Sequence, residues 1–311
     1  MKYILTTGCS FTNNIRLNPN DLSQNCGGRE SWPYYLQKQL GDEWGYTVLN
    51  YGGATNDNVS MCRILYYHAK RLLNEGVDGK DIILIGQWSD PNRESIWIKS
   101  KFTESDRDRY GHTLVYTPNW KEENGFFYLT GGFSPPDDDD SAQKKFGIDN
   151  AIKYWEADIN WNNILNQSMH WLESWSHLER FSKDNNIDTY WMSMRNPYST
   201  EAYDTWFGAP DNDSDTTSKN LWFDRYEILK PYIDEVPINE SNHWHYKNYN
   251  GLLEWTIDNI REGVPYFQEA EGNYMSWDDY KKDIHKWGWG HPSPEMMKIF
   301  VEEELIKILK I

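Results

Sequence analysis

The sequence predicts an α/β fold built on a central parallel sheet of about five strands, and three observations predict it. Short apolar runs alternate with helical patterns through the first ninety residues, the pattern of strands joined by crossover helices. The runs are apolar and β-branched, and the third of them, IILI within DIILIG (81–86), is continuous, as in a strand buried on both faces. Each of the first three runs is followed by a polar segment carrying glycine: GCSFT, NYGGATND and GQWSDPNR. Ligands of parallel sheets bind beyond the carboxyl ends of the strands, where strand order reverses. These three segments fall at those ends.

Taken in order, YILTT (3–7) is a strand stopped by Gly8. SWPYYLQKQLG (31–41) is a helix with Ser31 as its cap, Pro33 in the first turn and Gly41 as its end. YTVLN (46–50) is the second strand. NDNVSMCRILYYHAKRLL (56–73) places Val59, Cys62, Leu65, Ala69 and Leu72 three or four residues apart, the stripe of an amphipathic helix. DIILIG (81–86) is the third strand. HTLVYT and FFYLTGG, separated by NWKEENG, read as a hairpin, and SPPDDDDSAQKK after them as a solvated acidic loop. A long amphipathic helix spans about 151–182, and NIDTYWMSM (186–194) is a fourth strand. A shorter helix is expected near 248–262. SPEMMKIFVEEELIKIL (293–309) is the last helix, with Ser293 as cap and Pro294 at the first helical position. The whole, 1–311, reads as one domain, with insertions at about 100–150 and 198–280 forming a lid or side wall.

Composition excludes several classes. The 311 residues are long enough for a sizeable core. Forty-eight acidic residues against 31 basic ones give a formal charge of −17, which repels phosphate backbones, so nucleic acid is not an expected partner. The apolar start is too short for a signal peptide and no stretch approaches a membrane span. Three cysteines, Cys9, Cys26 and Cys62, lack metal-type spacing and read as reduced thiols of a cytoplasm. An aromatic share of 16%, with 17 Trp and 21 Tyr, fits a large core and fits sugar-binding surfaces equally.

Other chemistries find little support. His243 and His245 have strand spacing for two metal ligands, without a third. DNDSD (211–215) copies the start of a calcium loop, but Thr216 stands where glycine is needed and Trp222 where the bidentate Glu belongs. GCSFTNN lacks the Gly-Lys-Ser/Thr of a phosphate loop.

The blocks GCS (8–10), NYGGAT (50–55), GQWSD (86–90) and GWGHPS (288–293), in that order and strand context, resemble those of the SGNH hydrolases, the GDSL-like esterase and lipase family. The similarity is to divergent, phage-type members and covers roughly residues 1–95 and 280–311. It implies a flavodoxin-like three-layer α/β/α sandwich and ester hydrolysis through a serine acyl-enzyme. It implies no metal and no organic cofactor. The substrate is expected to be a small-molecule or glycan ester, the aromatic residues of the insertions pointing to an acylated sugar. A serine hydroxyl needs an adjacent base. The resemblance makes Ser10 the nucleophile and His291 the base, with backbone N–H groups of Ser10 and Gly53 binding the developing oxyanion.

Two blocks depart from the family. Gly288 stands where its Asp would precede the histidine, which leaves Asp283 as the nearest upstream acid. The asparagine of the third block is absent, and Asn56, Gln87 and Ser89 are the candidates to replace it. Arg195, after the fourth strand, is a candidate substrate contact. Cys9 is a rival nucleophile that alternates away from Ser10. The competing expectation is a binding or structural, phage-associated protein that keeps the fold without the reaction.

Overall fold

In the computed structural model the described residues are 2–9, 12, 31–52, 56–89, 94–98, 114–115, 126–130, 162–194, 251–259, 261, 264, 267–268, 274–275 and 291–309. Four strands, β1 (Lys2–Thr7), β2 (Tyr46–Asn50), β3 (Ile82–Trp88) and a later one, β7 (Asp188–Ser193), form a wholly parallel sheet in the order β2-β1-β3-β7. The chain is therefore an α/β protein. Its parallel sheet holds four strands among the described residues, one fewer than the sequence led us to expect.

The order follows from two crossovers. Helix α1 (Trp32–Trp44) carries the chain from β1 to β2, and α2 (Asn58–Asn74) carries it back past β1 to β3. Strand order therefore reverses between β1 and β3, the position at which parallel sheets bind their ligands. Register runs Tyr3↔Ile82 through Thr7↔Gly86 between them. Ile4, Leu5, Ile82, Leu84 and Ile85 are buried, as strands covered on both faces require.

Two helix ends correct the sequence reading. Helix α1 does not stop at Gly41: it continues to Trp44 and ends on Gly45, whose φ of 71° is the left-handed conformation that glycine adopts without a Cβ penalty. Gly41 serves another purpose. A Cβ there would collide with the Gln37 amide, and Gln37 reaches across to the edge of β2, accepting from Val48 N–H at 2.7 Å and donating to the Tyr46 carbonyl at 3.4 Å. β2 is an edge strand of the described sheet, and Gln37 occupies hydrogen-bonding groups that would otherwise be open. Ser31 does stand at the cap position of α1, but its side chain makes no capping bond; the hydroxyl donates to the Thr12 carbonyl at 3.4 Å instead.

α2 packs on β3 and on α3 (Asn162–Asp184), the described part of the long helix expected over 151–182. α1 packs on β2 and on the C-terminal helix α5 (Pro294–Phe300). Ser293 caps α5 as expected, accepting from Met296 N–H at 3.1 Å, and Pro294 opens the helix. The helix loosens into a π-helical stretch over Val301–Leu305 before its last turn, Ile306–Leu309. α4 (Leu252–Asp258) sets Trp255 edge-on to Phe300, with ring centroids 5.3 Å apart.

Beneath β3 and β7 lies a tryptophan cluster. Trp88, Trp171, Trp175 and Trp191 are all buried, with Trp88 stacked on Trp191 at 4.9 Å and Trp171 on Trp175 at 5.7 Å. These four Trp belong to the core.

The expected hairpin is present in short form: β5 (Leu114–Val115) pairs antiparallel with β6 (Phe126–Thr130). A strand that periodicity did not announce, β4 (Glu94–Ile98), pairs on the other edge of β6. A third small sheet joins β8 (Phe267–Gln268), β9 (Tyr274–Met275) and β10 (His291–Pro292). The acidic loop at 134–145 and the 198–250 part of the second insertion lie outside the described residues.

Candidate functional site at the strand ends

Between the carboxyl ends of β1, β2 and β3 sits one residue that the sequence did not single out, Thr12. It is fully buried, and its backbone N–H donates to the Cys9 carbonyl at 3.0 Å, folding the chain back on itself directly after β1. Two glycines make room for it. A Cβ on Gly8 would stand 2.8 Å from the Thr12 Cβ, and a Cβ on Gly52 would stand 2.7 Å from the Thr12 carbonyl oxygen. Neither glycine needs a positive φ; both are required by close approach.

Thr12 is also where the polar groups of the crevice meet. Its carbonyl oxygen accepts from the Asn50 amide at 2.8 Å and from Ser31. Its hydroxyl accepts from the indole N–H of Trp32 at 3.1 Å and donates to Oε1 of Gln87. Asn50, the last residue of β2, is held in turn: its Oδ1 accepts from Thr6 at 3.0 Å and from Gly52 N–H at 2.9 Å. Side chains from β1, α1, β2 and β3 are thereby tied through one threonine. Its side-chain partners lie 19, 20, 38 and 75 positions away. No local sequence signal could have identified it.

Of the residues proposed from sequence, Asn56, Gln87 and Ser89 are described, and all three are buried at this end of the sheet. Asn56 donates to the Gly8 carbonyl at 3.3 Å and the Tyr51 carbonyl at 3.5 Å, which leaves its Oδ1 without a partner. Gln87 accepts from Thr12 and has an unpartnered Nε2. Ser89 is clamped by Asn58 at the start of α2, which accepts from Ser89 N–H at 2.7 Å and donates to its carbonyl at 3.0 Å. The Ser89 hydroxyl is unpartnered. Buried polar groups are nearly always bonded, so three such atoms at one strand-end crevice stand out.

Ser10, Gly53, Asp283 and Arg195 lie outside the described residues. Ser10 falls in sequence between the bonded pair Cys9 and Thr12. The backbone of His291 opens β10, opposite Gln268 and two residues ahead of the α5 cap; its imidazole is outside the described part. Cys9 is fully buried with its Sγ 3.3 Å from Met194 Sδ, past the end of β7. That packing is the structural role the alternation of the strand leads one to expect.

Next to Tyr51, just past the end of β2, lies a perturbed histidine. His68 on α2 is 3% exposed and stacks on Tyr51, with centroids 3.6 Å apart and planes 11° from parallel. Burial, with Arg71 nearby, lowers its pKa from 6.5 to about 4, so it is neutral at physiological pH. Burial also pushes the Cys62 thiol well up, reinforced by the Asp57 carboxylate, which leaves this cysteine unreactive as a nucleophile.

A cavity of about 330 Å³ opens elsewhere, between α2 and α3, lined by Cys62, Arg63, Tyr66, Glu173, Ser174, His177 and Leu178. It has no part in the strand-end network. Among the described residues no group of three His, Cys, Asp or Glu side chains could hold a metal ion, and no helix is long and apolar enough to cross a membrane. The histidines 243 and 245 and the acidic 211–215 segment lie outside the described residues.

No protein-family model matches the chain. No curated protein and no solved structure gives a significant match either.

Proposed function

We propose that the chain is a serine ester hydrolase of SGNH type, acting through an acyl-enzyme on a small-molecule or glycan ester. One observation carries the reading. Strand order β2-β1-β3 makes the segments after these strands neighbours, and Thr12 bonds or packs against a residue of each: Gly8 after β1, Asn50 and Gly52 at the end of β2, and Gln87 on β3. In this reading Ser10 attacks the ester carbonyl. His291 takes the serine proton and later returns it to the leaving alcohol, and the N–H groups of Ser10 and Gly53 hold the oxyanion. Asp283, or a backbone carbonyl, orients the imidazole. A three-layer arrangement, with α1 and α5 on one face of the sheet and α2 and α3 on the other, belongs to the same reading. An acylated carbohydrate suits the aromatic-rich insertions, and Arg195 would contact its polar groups.

Turnover of a chromogenic acetate ester by the protein and by Ser10→Ala and His291→Ala tests the mechanism. Loss of at least about 1,000-fold in kcat is expected for each. Unchanged turnover in Ser10→Ala would remove that serine from the chemistry.

The absence of the family's Asp, replaced by Gly288, favours a second reading: a binding or structural protein that keeps the fold without the reaction. No ester turnover, together with no labelling by a serine-directed phosphonate, would select it.

A further inference from the structure

We infer that the cavity between α2 and α3 is a binding site for a free α-amino acid with an apolar side chain. The site lies outside the strand-end network, and the inference does not rest on the ester-hydrolase reading.

Helical spacing builds its walls. On α2, Cys62 and Tyr66 stand four residues apart with Arg63 beside them; on α3, Glu173 and His177 form one such pair and Ser174 and Leu178 another. Cys62 and Ser174 are small, and larger side chains at this seam would fill the space of about 330 Å³. That volume is at the small end of ligand pockets, which run from about 300 to 1,000 Å³.

The floor is apolar and the mouth is polar. Cys62 and Leu178 are buried, and burial keeps the Cys62 thiol protonated, so the floor carries no charge. Tyr66 is half-buried, its ring 4.6 Å from that of Phe181 and under the Lys70 ammonium at 5.6 Å, which fixes it as a side wall. Arg63, Glu173 and His177 are exposed, so the cavity opens to water. The His177 ring stands 5.5 Å from Tyr66 at this mouth.

Charge selects the ligand. Arg63 lines the cavity from one helix and Glu173 from the other, and among the described residues neither forms an ion pair. A simple anion held by Arg63 would meet the Glu173 carboxylate, and a simple cation held by Glu173 would meet the Arg63 guanidinium. A ligand that carries both charges satisfies both walls. An α-amino acid gives its carboxylate to the planar fork of Arg63, with the Ser174 hydroxyl as a further donor, and its ammonium to Glu173. Its apolar side chain then covers Cys62, Leu178 and the Tyr66 ring.

Calorimetric titration of the full chain at neutral pH with L-phenylalanine and with L-leucine tests the site. One of the two is expected to bind with a dissociation constant of about 1 mM or tighter. Phenylacetate and phenethylamine, each lacking one of the charges, are expected to bind about tenfold more weakly or not at all. Arg63→Gln and Glu173→Gln, both on exposed positions, are each expected to weaken the amino acid about tenfold. Ser174→Trp, which fills the cavity, is expected to abolish binding, with the thermal midpoint of the free protein as the check that it folds. No binding of either amino acid up to about 10 mM overturns the inference. So does a dissociation constant unchanged within twofold in both Arg63→Gln and Glu173→Gln, or phenylacetate binding as tightly as L-phenylalanine. Ester turnover is not part of the readout, so the ester-hydrolase reading stands or falls separately.

Discussion

Trp191 of β7 donates its indole N–H to the buried carboxylate of Glu179, which lies on α3 and is only 9% exposed. The hydroxyl of Thr189 reaches the same carboxylate, at 3.3 and 3.2 Å from its two oxygens. One acidic side chain thus anchors the helix to the strand that follows it, at the base of the tryptophan cluster.

Burial raises the Glu179 pKa above 4.5, and the bonds from Trp191, Thr189 and Trp175 oppose the shift without cancelling it. A raised carboxyl pKa means the folded state holds its proton longer than the unfolded one. This residue's contribution is therefore fully present below pH 4.5 and declines as pH rises through the folded value. Glu179→Gln keeps an acceptor for Trp191 and removes the charge, so its unfolding midpoint in urea at pH 7 is expected to equal or exceed that of the parent. Glu179→Ala removes the acceptor of Trp191, Thr189 and Trp175 and is expected to lose about 2–4 kcal/mol.

His68 works in the opposite direction. Its folded pKa, about 4, lies below the unfolded value of 6.5, so the unfolded chain binds a proton that the folded chain refuses. Stability is expected to fall as pH drops from about 6.5 toward 4, by about 2–3 kcal/mol in all. His68→Phe preserves a ring to stack on Tyr51 and should flatten that dependence. Urea midpoints at pH 4.5, 5.5 and 7 for both proteins measure the difference.

Gly86 and Trp191 are partners in register between β3 and β7. The Trp191 ring lies over the glycine, and a Cβ there would stand 2.5 Å from a ring carbon and 3.7 Å from Leu65. Gly86→Ala is expected to destabilise by about 1–3 kcal/mol through overpacking, read from the thermal midpoint. A change of less than about 0.5 kcal/mol would mean that the ring can move aside.

Asp57 caps α2, accepting from Ser60 N–H at 2.8 Å and from the Ser60 hydroxyl at 2.7 Å, and it is buried. Asp57→Ala is expected to cost about 1–2 kcal/mol, and Asp57→Asn appreciably less. The next residue, Asn58, clamps Ser89, so loosening this cap is also expected to raise hydrogen exchange at the Ser89 amide.

Much of the fold is legible along the chain, because its signals are local. YTVLN (46–50) is bounded as read, and Asn58–Asn74 follows from the spacing of its apolar residues, since a 3.6-residue period and a continuous apolar run are properties of adjacent residues. The end of α1 departs from the sequence expectation for the converse reason. Gly41 resembles a stop signal until the Gln37 amide, bonded to β2, is seen occupying the space a Cβ would take.

Sequence by itself determined the alternation of strands and helices, the polar segments at the strand ends, and the positions of Asn56, Gln87 and Ser89 among them. Tertiary structure alone decided the order β2-β1-β3-β7, the identity of Thr12 as the junction of the strand ends, and which polar atoms of Asn56, Gln87 and Ser89 are left without a partner. The physical reason is that a hydrogen bond depends on separation in space. Partners as far apart in the chain as Thr12 and Gln87 leave no periodicity to read until the strands stand side by side.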